Sequence, residues 1–283
     1  MIYVVYAGIS AIFLSLYDLF KKISVKNKKD IYEILFFFCF VAFLCSVFFI
    51  KSAFSIDFKY IMFLLLKSTI ISLSWYLTTK AMSKLDMGIV VPFSLLGTVT
   101  TTVFAWLFFG ERIGFVQIGG ILIILVGLFL ISKIRRKEEN IENDYKYLLF
   151  LVLAAVLSSI SAIIDKHLLT NMSGGPVLFW FFLFLSLIYL IVCLIKNKKI
   201  VVKNFVSNLW VVGIGISIFL SDLLYYKAVG CHGSSVSIIS IIKKMSVFIG
   251  VVLGCLFLKE KDFLKKILVL FLMFIGLSVI LFL

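Results

Sequence analysis

Ten apolar runs, each close to twenty residues long, divide this chain of 283 residues. They lie at about 2–20, 31–50, 60–79, 88–109, 115–132, 148–165, 177–195, 206–226, 234–258 and 264–282. A helix rises about 1.5 Å per residue and a bilayer core is about 30 Å thick, so each run is long enough for one crossing. The connections between runs are short and leave no room for a soluble domain. Hydrophobic residues make up 63% of the chain and charged ones 15%, against roughly 45–50% and about 25% in soluble proteins. A water-soluble surface cannot be built from that supply. A soluble enzyme, a disulfide scaffold and a disordered chain are all excluded. The first run has neither a basic leader nor a small-residue cleavage site, so it reads as a span.

The formal charge is +14, but the cations sit mostly in short loops, where they orient membrane proteins rather than bind nucleic acid. The loops after the odd-numbered spans hold Lys21, Lys22, Lys26, Lys28 and Lys29, then Lys196, Lys198, Lys199 and Lys203, then Lys259, Lys261, Lys265 and Lys266. The opposite side has few, such as Lys51, Lys59 and Arg112. The positive-inside rule therefore predicts both termini outside. Cys39, Cys45, Cys193, Cys231 and Cys255 form no C-x-x-C motif, and His167 and His232 have no histidine at ligand spacing. The sequence therefore calls for no metal and no cofactor.

The longest polar stretch, 133–147, falls near the middle and contains Arg135, Arg136, Lys137, Glu138, Glu139, Glu142 and Asp144. It reads as a linker (137–147) between two five-helix repeats, 1–136 and 148–283. At an offset of 147, Asp18 falls on Asp165, Ser74 on Ser221, and Lys80-Ala81 on Lys227-Ala228. At an offset of 149, Glu111 falls on Glu260 and Gly127-Leu128 on Gly276-Leu277. An odd number of spans per repeat inserts the second copy upside down. The expected fold is thus an all-α polytopic membrane protein with ten transmembrane helices in two inverted repeats. Such repeats build alternating-access transporters with a site near the midplane.

That arrangement resembles the drug/metabolite transporter superfamily, specifically its EamA family. The stretch from Pro92 to Leu107-Phe108-Phe109-Gly110-Glu111-Arg112 is similar to the family's fourth span, and Gly254-Cys255-Leu256-Phe257-Leu258-Lys259-Glu260 to its second-half partner. Leu73-Ser74-Trp75-Tyr76 followed by Lys80-Ala81 is similar to the third span. The resemblance covers the whole chain and implies a transporter. Many members keep both termini in the cytoplasm, which the loop charges here oppose.

Charges inside the bilayer are costly unless paired or hydrated, so they are the leading site candidates. Lys243 and Lys244 interrupt the ninth span about nine residues in, or about 14 Å deep. Adjacent helical residues point about 100° apart, so at least one should face a cavity. The pair also resembles the Lys-Arg pair of plastid triose-phosphate translocators, which implies an anionic or phosphorylated ligand. A second Lys in place of Arg lacks the bidentate fork. Asp222 lies in the eighth span at a depth within about one turn of Lys243, where it can pair with it or carry a coupling proton. Lys67 enters the third span from the same side. Asp18 and Asp165 end the first spans of the two halves, where helix-end neutralisation competes with a coupling role for Asp165. Trp75, Tyr76, Tyr225 and Tyr226 occupy equivalent stretches and can line the cavity from both halves. Glu111 and Glu260 read as interfacial anchors. Pro92, with Gly97, can loosen the fourth span.

The leading expectation is a secondary transporter of a small organic solute, driven by protons or exchange. It would reside in the cell membrane as a monomer or homodimer whose partners are the bilayer and a small-molecule substrate. No Walker A sequence is present. The alternative is a flippase for a phosphorylated lipid carrier. An intramembrane enzyme would need a Cys–His or Ser–His pair or an H-E-x-x-H motif, none of which is in register.

Overall fold

The computed structural model describes residues 2–26, 30–109, 114–134, 141–196, 209–231 and 236–282. Glu111, Arg112, His232 and much of the charged linker lie outside them. Ten helices are long and apolar enough to cross a membrane: Ile2–Lys26, Ile31–Ala53, Phe58–Met82, Met87–Phe104, Phe115–Ile134, Tyr145–Asn171, Gly174–Ile195, Leu209–Val229, Ile238–Leu258 and Phe263–Leu281. They are called here the first to tenth spans. The face carrying the loops after the odd spans is the basic face, and the other is the terminal face.

The first and sixth spans run on past the ends of their apolar runs, to Lys26 and Asn171. Local hydropathy falls at Lys21-Lys22 and at Lys166-His167, but those residues are good or tolerable helix formers, so the backbone continues. Asp18 and Asp165 are therefore internal and not at helix ends. Lys21 and Lys266, expected in loops, are 1% and 2% exposed.

The packing obeys the repeat. The first span lies on the eighth, and the third on the sixth. The second meets the seventh and the fifth meets the tenth. The second also touches the eighth, and the seventh the third. Moving every span forward by five returns the same set of neighbours, as a pseudo-two-fold axis in the membrane plane requires. Serines join the two long crossings. Ser221 Oγ donates to the Ser10 carbonyl at 3.0 Å and Ser10 Oγ to the Ser221 carbonyl at 2.8 Å. Its repeat counterpart Ser74 donates to the Ala154 carbonyl at 2.9 Å and lies 2.9 Å from Ser158 Oγ. Small hydroxylated residues let lipid-embedded helices approach and supply bonds where water cannot. Glycines do the same between the fifth and tenth spans, where a Cβ on Gly120 or Gly276 would stand 2.7 Å from the other's carbonyl oxygen.

The fourth and ninth spans are both broken. The fourth passes from Met87–Val90 through a 3₁₀ stretch, Val91–Leu95, into Leu96–Phe109. Pro92, which has no N–H to give, sits at the start of the 3₁₀ stretch. The ninth breaks at Met245, between Val236–Lys244 and Ser246–Leu258. At the offset of 149 Met245 falls on Leu96, where the 3₁₀ stretch of the fourth span gives way to its second helix.

Glu260 is no interfacial anchor. Its carboxylate accepts the Met87 N–H at 2.6 Å and the Gly88 N–H at 2.9 Å, and Lys266 Nζ lies 3.0 Å away. It caps the start of the fourth span from the opposite repeat, where exposed amides favour a negative charge.

Candidate functional site

One face each of the third, sixth and eighth spans converges on a cavity of about 210 Å³. At about 30 Å³ per water, that is room for several waters or one small solute. The third span presents Lys67, Ile71 and Trp75, spaced four apart on one stripe. The sixth presents Ser158, Ser161, Ala162 and Asp165, and the eighth Ile218, Asp222, Tyr225 and Tyr226. Phe181 of the seventh span and Lys243 of the ninth complete the wall.

Depth follows from the chain. Lys67, Asp165 and Asp222 lie about 9–14 Å from the terminal-face ends of their helices, at 1.5 Å per residue. The cavity thus occupies the terminal-face half of the bilayer and reaches towards the midplane.

Two ion pairs organise it. Lys67 Nζ lies 2.5 Å from Asp165 Oδ1 and donates to the Tyr226 hydroxyl at 3.4 Å. Its ammonium also stands 4.1 Å from the Phe181 ring centroid, a cation–π contact. Lys243 Nζ lies 3.2 Å from Asp222 Oδ1 and 3.9 Å from the Tyr225 ring centroid. Each lysine is thus held by one carboxylate and one aromatic face. Asp165 and Asp222 each engage through Oδ1 alone among the described residues. Their side chains are 25% and 19% exposed, and both residues line the cavity.

Seven of the nine expected site residues meet here: Lys67, Trp75, Asp165, Asp222, Tyr225, Tyr226 and Lys243. Lys244 and Tyr76 do not line this cavity. Each neighbours a residue that does, and the 100° step carries it elsewhere. Lys244 donates instead to the Ser94 carbonyl at 2.8 Å, inside the 3₁₀ stretch of the fourth span, where a carbonyl needs a donor. Tyr76 stacks on Tyr32, ring centroids 5.1 Å apart. The two lysines that line this cavity are thus Lys243 and Lys67, each with its own aspartate. Sequence reasoning missed Ser158, Ser161 and Phe181. The serines carried a signal, as hydroxyls within an apolar run. Phe181 carried none among 31 phenylalanines.

A family model, the EamA-like transporter family, matches residues 1–133 and again 145–282. The chain belongs to that family. Two family units in tandem cover nearly all of it, in keeping with the two five-helix repeats of the packing. It is an EamA-family membrane transporter, multi-pass and not an enzyme. No curated protein matches it. One solved crystal structure of a protein is similar over 96% of this chain and 94% of its own, with a TM-score of 0.66 and 14% identity. At that identity the likeness bears on the fold alone.

Proposed function

We propose that this EamA-family chain is a secondary transporter of a small zwitterionic organic solute. The repeats 1–136 and 148–283, joined by 137–147, would move against each other to expose the site alternately to each side. The observation that supports this reading is the pair of Lys–Asp contacts on one aromatic-walled cavity. Two cations and two anions leave the cavity neutral. A phosphate dianion would enter with no net charge to balance it, and burying unbalanced charge is costly. A zwitterion can exchange partner for partner: its carboxylate takes a lysine and its ammonium takes the unclaimed aspartate oxygens. Charge-assisted hydrogen bonds then replace the solute's hydration.

Coupling would run through Asp165 and Asp222. A proton on either carboxylate cancels its hold on the neighbouring lysine and frees that lysine for the solute. A proton gradient can thereby drive the cycle. The loop charges support an orientation with both termini outside, in the cell membrane, so that the cavity described here would face outward.

The test is thermal stabilisation of the detergent-purified protein against neutral amino acids, phosphorylated metabolites and lipid phosphates. Wild type and Lys243→Met would be compared side by side. A ligand at 100 times its Kd adds about 2.7 kcal/mol to stability. Stabilisation of wild type but not Lys243→Met by an amino acid supports the reading. Stabilisation by a phosphorylated compound alone overturns it in favour of an anion or lipid-phosphate carrier.

A further inference from the structure

The repeat extends the site beyond its visible cavity. At the offset of 147, Trp75 and Asp222 are each other's counterparts, and both line the cavity. Residues that exchange in this way stay beside the central site whichever half opens. Asp165 has the counterpart Asp18, which lies on the basic-face side.

Tyr17 connects the two places. Its ring packs on Trp75 with centroids 6.1 Å apart, and Trp75 lines the cavity with Asp222. Lys21, one turn beyond, donates to the Tyr17 hydroxyl at 2.9 Å. An ammonium has three protons to donate, and for this one, 1% exposed, one neutral hydroxyl is the hydrogen-bond acceptor among the described residues. Asp18, one turn before Lys21 on the same helix, interacts with it through charge but without a hydrogen bond among the described residues. Ser24, a further turn on, is 0% exposed and its hydroxyl has no hydrogen-bond partner among the described residues. Asp18, Lys21 and Ser24 are spaced three apart and share one face of the first span. Buried polar groups left with spare valence are destabilising, and inside a membrane they mark pathways.

We propose that Asp18 and Lys21 are a second solute station, gripping the zwitterion when the cavity opens to the basic face. This rests on the zwitterion reading above. Trp75 is the partition between the stations and Asp222 is shared by both. In the state described, Lys67–Asp165 is open to the cavity and Lys21 is sealed. When the repeats exchange shapes, Lys67–Asp165 closes. The solute ammonium then passes to Asp18 and its carboxylate to Lys21.

The experiment measures uptake of an equimolar mixture of ¹⁴C-labelled neutral L-amino acids, in intact cells and in inverted membrane vesicles. Half-saturating concentrations are compared between the two. Asp18→Asn and Lys21→Met should raise the value tenfold or more on one face and less than twofold on the other. Asp165→Asn and Lys67→Met should show the opposite asymmetry, and Asp222→Asn should raise both. Lys21→Arg keeps the cation and should restore function if Lys21→Met fails to accumulate. Equal shifts on both faces, or none, for Asp18→Asn would overturn the second station while leaving the first reading standing. Absence of wild-type uptake from either face would overturn both.

Discussion

Two buried lysine–carboxylate pairs lie towards opposite faces of this molecule, and they differ in how completely they are satisfied. Lys266 and Glu260 are 2% and 5% exposed, and the glutamate also accepts two backbone amides. Both of its oxygens are claimed, and the contact ties the loop before the tenth span to the start of the fourth. Lys67 is buried to the same degree, at 3% exposed, but Asp165 is 25% exposed and bonds through Oδ1 alone among the described residues. The lysines are equally buried; the carboxylates separate the two pairs, one enclosed and fully bonded, the other partly exposed with bonding capacity to spare. A closed pair holds the repeats together. An open one has something left to offer a solute.

That contrast can be broken from either end. Glu260→Leu should have the largest effect on stability, about 3–5 kcal/mol, because it frees two helix-start amides and leaves the buried Lys266 ammonium to the longer contact with Asp86 Oδ2 at 3.8 Å. A fall in melting temperature in detergent, with no ligand able to restore it, is the expected result. Gly88→Ala strikes the same clamp sterically. Its Cβ would stand 2.8 Å from Lys266 Cδ and 2.9 Å from Glu260 Oε2, so about 1–3 kcal/mol should be lost to overpacking, with the half-saturating solute concentration unchanged. Lys244→Met removes one bond to the Ser94 carbonyl and should cost about 1 kcal/mol, again without touching solute affinity. The double variant Lys67→Met/Asp165→Asn should shift stability least, by under about 1 kcal/mol, since a buried pair replaced as a unit is often neutral. Yet it should abolish transport. A melting point as low as that of Glu260→Leu would show that the cavity pair is structural after all.

Much of this was legible in the sequence, and the failures have physical causes. The ten spans follow from run length, and the repeat follows from Asp18, Ser74 and Glu111 meeting Asp165, Ser221 and Glu260. Asp222 and Lys243 could be matched because both are counted from one loop, so a depth argument places them together. Asp165 was harder. Hydropathy ends a span at its first charges, whereas the backbone runs a further turn and a half past Asp165 to Asn171. Lys21 and Lys266 read as loop cations because local composition contains nothing about what packs over them. The Glu260 clamp joins residues 172 and 173 positions apart, a pairing that no local window holds. For Lys243 and Lys244 the 100° step says that at least one faces a cavity but not which, and only the packing selects Lys243 over Lys244 and Trp75 over Tyr76.

The glycine contact between the fifth and tenth spans has a consequence for how the protein is made. Gly120 enters the bilayer before the second repeat has been synthesised, and the helix that fits against its bare backbone leaves the ribosome more than a hundred residues later. Until then the groove around Gly120 is open to lipid or to a neighbouring chain. A ribosome stalled before Gly276 therefore leaves a protein with most of its spans inserted and its closing seam unmade. Quality control in the membrane has a specific surface there by which to tell a finished chain from an unfinished one.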